Sequence, residues 1–207
     1  ELMGGVRQIA AGERHTIVLT GIEGNITSNR VRVMGDNSLG QSGNSYAWRV
    51  GANRGPEGTN LYQEAEFASD LFDGQDNIIT DGLEIAAGPY FSMLVRGERE
   101  PSTETDEQGN LIGVGPIRKS SVYFFGYNDQ GQMAAWPEKV TMPKPGEEVQ
   151  ENPNIRRNMV EITFDGLQGH ISKVTAADKY AAAMTEDGQV WTWGGNDKGQ
   201  LGDFSLL

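Results

Sequence analysis

A heptapeptide of the form Gly-x-Asn-x-x-Gly-Gln occurs three times in this chain, at 35–41, 126–132 and 194–200. Each copy ends the same series of strand-like segments, so the chain must fold as a repeat. The first segment is 6–12, 82–88 or 171–177 and carries the small pairs Ala10–Ala11, Ala86–Ala87 and Thr175–Ala176. A short apolar stretch follows at 15–20, 91–96 or 180–185, and then a strand at 31–35, 122–126 or 190–194 runs into the heptapeptide. A unit of this kind cannot bury its apolar face alone and must stack on its neighbours.

Local chemistry makes these segments β-structure. In the third copy Val190 and Thr192 alternate with Trp191 and Trp193, the period of a half-buried strand. Asp187-Gly188 between its two strands is a hairpin signal. Small residues in the first segment suit a strand packed where space is tight, as at the narrow inner end of a radial blade, and Gly12 and Gly88 relieve crowding or permit positive φ. Within the heptapeptide, Gly35, Gly40, Gly126, Gly131, Gly194 and Gly199 supply unusual dihedrals. Asn37, Asn128 and Asn196 can each close an Asx-turn, and Gln41, Gln132 and Gln200 can tie the loop to a neighbour. These twelve residues are read as structural turn residues.

The copies differ mainly at one place. From Gly12 to Gly35 is 23 residues, from Gly88 to Gly126 is 38, and from Ala177 to Gly194 is 17. The excess falls at the tip of the central hairpin, where insertions are tolerated. The spacing divides the chain into repeats over about 1–43, 61–134 and 155–202, with Pro/Gly/charged linkers at 44–60 and 135–154 and a strand over 160–164 that approaches the third copy.

The motifs resemble those of the regulator of chromosome condensation repeat family, directly over about half of the chain. Ile9-Ala10-Ala11-Gly12 with His15-Thr16, Leu19-Thr20 and the 35–41 turn is close to that family's pattern, as is the run 184–202. The resemblance implies an all-β fold: a β-propeller of four-stranded blades, here about three repeats of a larger ring, typically seven-bladed. Three blades are too few to close a ring, so the chain reads as part of a longer protein. Phe91 and Tyr180 stand where the first copy has His15, Ala177 stands at the Gly12 position, and Ala134 at that of Gly43. These departures predict divergent, non-interchangeable blades.

Composition narrows the function. There is no cysteine, which excludes disulfides, thiolate catalysis and Cys-based zinc sites. The net charge of −12 repels phosphate backbones and favours a partner protein with a basic surface. Neither a membrane-length apolar run nor a phosphate-binding glycine motif is present, and no cofactor, metal or nucleic acid is expected. Of the two histidines, His15 reads as a buried structural residue and His170 as a turn residue. The Asp70, Asp73, Asp76, Asp81 group resembles calcium ligands, but lacks the spacing of a calcium loop and reads as a solvated linker. The triplet 25–27 fits a glycosylation acceptor, a pattern that arises often by chance.

What is specific to the chain is the insertion in the second hairpin. Glu98, Glu100, Glu104, Asp106 and Glu107 against Arg99 give it a net charge of −4, followed by an apolar stretch at 111–114. Its composition predicts disorder over 98–110. A functional reading makes it a protruding acidic arm that docks a basic partner through Glu104, Asp106 and Glu107, with Ile112 and Val114 as apolar anchors. The expected function is that of a non-enzymatic, intracellular interaction or scaffold subunit of a larger assembly. The alternative, implied by the resemblance alone, is guanine nucleotide exchange on a small GTPase, which some members of that family perform.

Overall fold

The structure, a computed structural model, describes residues 5–22, 25–43, 65–110, 113, 115–138 and 152–203. Every regular element among them is a strand. They form three antiparallel sheets, each a meander in chain order. The first sheet runs β1 (Val6–Ala11), β2 (His15–Ile22), β3 (Asn25–Gly35) and β4 (Ala65–Asp70). The second runs β5 (Gly82–Ala87), β6 (Phe91–Arg99), β7 (Ile117–Tyr127) and β8 (Ile155–Ile162). The third contains β9 (Ile171–Ala176), β10 (Tyr180–Thr185) and β11 (Val190–Gly194).

Sheet boundaries are offset from the repeat boundaries read in the sequence. The strand expected over 160–164 overlaps only the end of β8, which starts earlier, stops at Ile162 and closes the second sheet, with Val160 opposite Phe124 and Ile162 opposite Val122. Likewise β4, inside the stretch assigned to the second repeat, is the outer strand of the first sheet, where Asp70 pairs with Arg32. The reason is register: each long connection returns its chain to the outer edge of the sheet just built, before the next inner strand begins. Residues 44–64 and 139–151 of the connections lie outside the described residues.

The inner strands β1, β5 and β9 lie side by side, and all three sheets pack face to face from there. At the ends of β1 and β5, crowding explains the glycines. A Cβ on Gly12 would sit 2.5 Å from the Gly88 carbonyl oxygen, and one on Gly88 would sit 2.7 Å from that of Ala177. Two apolar seams result. Ile17, Leu19, Val31, Val33, Leu71, Ile79, Ile85, Leu94 and Phe125 fill the seam between the first and second sheets. Phe91, Met93, Val95, Val122, Phe124, Ile171, Val174, Ala181, Ala183 and Trp193 fill much of the next. The middle sheet is thus apolar on both faces, with adjacent Phe124 and Phe125 fully buried and pointing opposite ways. On β11, the alternation read in the sequence holds. Trp193 is buried and Trp191 partly so, both against Phe164, while Val190 is exposed.

The heptapeptide closes the same turn three times. The Asn side-chain oxygen accepts the backbone N–H of Ser42, Met133 or Leu201 at 2.9–3.0 Å. The Gln side-chain oxygen accepts the N–H of Leu39, Gln130 or Lys198 at 2.8–2.9 Å, inside its own loop rather than on a neighbour. The tie to the neighbouring blade runs instead through the Gln backbone carbonyl. That of Gln41 accepts Ser92 Oγ–H (2.9 Å) and that of Gln132 accepts Trp193 Nε1–H (2.7 Å). The leading glycine is required by close approach: a Cβ on Gly126 would lie 2.5 Å from both Tyr90 O and Phe91 Cα, and φ there is +119°. Gly35 and Gly194 stand in the same relation to 14–15 and 179–180. After the turn, Gly43 and Gly202 have φ of +63° and +69°, whereas Ala134 carries a side chain at +56°.

Two substitutions test this account of the turn. Gly126→Ala should cost at least about 2 kcal/mol, because backbone atoms must shift as well as accept a left-handed alanine. Ala134→Gly should stabilise by about 0.5–1 kcal/mol, the left-handed strain less the unfolded-state entropy of glycine. Urea midpoints measured side by side give both signs.

Candidate interaction surface

In an antiparallel meander the connections alternate between the two ends of the sheet. Because the inner strands lie in matching alignment, the blades share two common rims. The heptapeptide turns lie on one. On the other are the β4–β5 connection and the β6–β7 and β10–β11 hairpins, and this second rim is markedly acidic.

The insertion is an ordered arm at its stem, not the disordered segment its composition predicts. Strands β6 and β7 continue past the body of the sheet, pairing Gly97 with Ser120, Glu98 with Lys119 and Arg99 with Ile117. Cross-strand pairing and charge neutralisation outweigh the acidic composition: Arg118 binds Glu98 and lies 3.7 Å from Glu100. Arg99 donates to the Gly115 carbonyl oxygen at 2.9 Å, and Glu100 N–H to that of Pro116 at 2.9 Å. At the far end Asp106 holds a tight loop. Its carboxylate accepts the backbone N–H groups of Gln108 (3.0 Å) and Asn110 (2.8 Å) and the Asn110 side chain (2.9 Å). The bonds from Asn110, foremost its side chain, hold the Asp106 carboxyl below its ordinary range. Of the residues expected to meet a partner, Glu104 and Glu107 are exposed, while Asp106 shapes the loop that presents them. Ile112 and Val114 lie outside the described residues.

A second loop of the same build sits on the same rim. Asp73 accepts the N–H groups of Gln75 and Asn77 at 2.9 and 3.0 Å, and the latter bond is the main cause that lowers its pKa. Its acidic neighbours do not converge. Asp70 pairs with Arg32 (3.1 Å) and Arg30 (3.6 Å), and Asp81 with Arg96 (2.8 Å). Among the described residues no cluster of three or more His, Asp or Glu is placed to hold a metal ion. Arg96 also lies over the Tyr123 ring, 5.6 Å from its centroid. With Phe72, Asp73, Asn158 and Met159, these two side chains line a cleft of about 640 Å³ between the first two blades. Nothing in the sequence singled out Arg96 or Tyr123, which look like ordinary strand positions.

One pair looks like chemistry. His15 Nε2 lies 2.8 Å from Ser92 Oγ, the spacing of a base and its nucleophile. Both side chains are buried, however, and Ser92 Oγ–H is committed to the Gln41 carbonyl oxygen. His15 must then donate from Nε2 and be neutral, with Nδ1 lacking a protein partner. Burial lowers its pKa from 6.5 to about 4, against the pull of Asp36. The pair is a seam contact between two blades. His170 accepts the Glu186 N–H through its carbonyl oxygen.

Comparison with known proteins agrees with this architecture. Residues 6–41 and 171–200 match the regulator of chromosome condensation (RCC1) repeat. Over 94 residues, 45% of the chain, it is 30% identical to Protein pim1 of Schizosaccharomyces pombe, of which it spans 17%. Among solved structures it is similar to human WBSCR16, with a TM-score of 0.56 and 14% identity over 94% of this chain and 34% of that one. It is also similar to yeast RCC1 (Prp20), solved bound to Kap60, with a TM-score of 0.52 and 18% identity over 92% and 32%. The chain thus spans about a third of the length of these structures. It carries RCC1 repeats, and its three sheets are part of a β-propeller.

The buried histidine makes stability depend on pH. Between pH 6.5 and about 4 the unfolded chain takes up a proton that the folded chain refuses, so stability is complete above this window and falls as pH drops through it. The full loss is about 3 kcal/mol. His15→Gln should remove this component, flattening stability against pH over that interval in urea melts at a series of pH values.

Proposed function

We propose that this chain is part of a non-catalytic, intracellular β-propeller that serves as an interaction or scaffold subunit. It engages a partner protein with a basic surface through its acidic rim, without nucleic acid or membrane insertion. The observation that carries this reading is the arm: two paired strands lift Glu104 and Glu107 beyond the body of the second sheet. Recognition commonly sits on loops held by a rigid scaffold. The net charge of −12 favours encounter with a cationic surface. The propeller of yeast RCC1 (Prp20), seen bound to Kap60, offers a precedent for a protein partner.

A second reading is nucleotide exchange on a small GTPase. It is favoured by the 30% identity to pim1 together with the exchange performed by some members of this repeat family. Such an activity needs only tighter binding to the nucleotide-free GTPase than to the loaded one, so no catalytic triad is required.

Reversing the arm's charge with Glu104→Lys and Glu107→Lys should weaken the partner that co-purifies with the full-length protein by at least tenfold. It should also flatten the salt dependence of association, as measured by titration at several ionic strengths. Excising 101–115 should have the same effect and leave the fold intact, because it spares both apolar seams and the buried Ile117. For the exchange reading, labelled GDP release from a panel of small GTPases should accelerate with the full-length protein. No acceleration on any of them removes that reading.

A further inference from the structure

The arm is built from the second sheet, yet contacts from the third blade set its base. Glu186, at the β10–β11 turn, accepts the Ile117 N–H with both carboxylate oxygens, at 3.1 and 3.0 Å. It also lies 3.5 Å from Arg99 Nη1. Ile117 and Arg99 are the last pair of the β6–β7 ladder, where the stem gives way to the neck of the arm. A second tie runs beside it, since Ile171 N–H at the start of β9 donates to Ser120 Oγ at 2.7 Å. The neck itself has little freedom. A Cβ on Gly115 would fall 2.1 Å from the Glu100 carbonyl oxygen, so the two chains pass at backbone contact. Ile117 is buried, and the Glu186 N–H is held by the His170 carbonyl oxygen, so both partners of the clasp are anchored in their own blades.

We propose that Glu186 is a positioning residue: it sets the direction of the acidic arm and makes that direction depend on how the second and third blades sit together. A two-stranded ribbon that leaves a sheet has only its own ladder to orient it, and such a ribbon is marginal in isolation. A carboxylate that receives a backbone N–H and faces a guanidinium from the adjacent blade supplies the missing cross-brace. Loss of the brace frees the hinge at 99 and 117 without opening either apolar seam, because Glu186 itself is only half-buried. The inference rests on the reading of the arm as a binding element for its purpose, but not for its geometry.

This chain has no cysteine, so once any cysteine elsewhere in the full-length protein is replaced by serine, a spin-label pair at Gln108→Cys on the arm and Lys173→Cys on β9 reports their distance. The full-length protein should give one narrow distance distribution. Glu186→Ala should at least double its width and speed exchange of the Ile117 amide at least tenfold. Glu186→Gln, which keeps an acceptor for Ile117 but loses the charge facing Arg99, should fall between. Unchanged width and unchanged Ile117 exchange in Glu186→Ala overturn the proposal. Thermal melting of each variant separates a freed arm from a damaged fold. If Glu104→Lys with Glu107→Lys leaves partner affinity intact while Glu186→Ala still broadens the distribution, the positioning role stands and the binding role falls.

Discussion

The structure depends on a sheet that is apolar on both faces. Phe124 and Phe125 are neighbours in the chain, point to opposite sides of the second sheet, and are both fully buried. No single-layer arrangement can keep both out of water, so a sheet must lie on each side, and the hydrophobic effect alone demands the stacked architecture. The first and third sheets each face the second with one apolar surface. Their other faces are more exposed, as Ile9 and Val190 show.

Polar contacts then set the register of the seams. The carbonyl oxygens of Gln41 and Gln132 emerge from a turn closed by its own Asn and Gln, and each is met by a side chain of the next blade. A buried carbonyl left unpaired costs more than an ordinary bond gains, so these ties penalise any slip between sheets. His15 belongs to the same set. Its neutral Nε2–H donates to Ser92, whose own proton goes on to Gln41. A histidine and a serine at hydrogen-bonding distance are here a device for fitting two blades, since water and substrate alike are kept out by burial.

Much of the site was legible where chemistry is local. The arm announced itself as excess length at a hairpin tip, and the acidic character of Glu104 and Glu107 needs no structure to read. Its order was not legible, because composition counts charges without showing that Arg118 stands opposite Glu98 and Glu100. Asp106 looked like another contact residue; only the loop geometry shows its oxygens turned inward onto 108 and 110. Arg96 and Tyr123 were invisible, since their cleft is formed by residues from both blades.

The amino-acid sequence by itself determined the repeat, the strands and the turns, because each rests on residues within a few positions of one another. The Asn37, Asn128 and Asn196 bonds all reach only five residues along the chain. Tertiary structure decided which sheet receives β4 and β8, which carbonyl meets which side chain, and where the arm points. Those choices rest on partners such as Ile117 and Glu186, 69 residues apart, or His15 and Ser92, 77 apart. No local pattern encodes such pairs; they come together only when the apolar faces of neighbouring sheets have closed on one another.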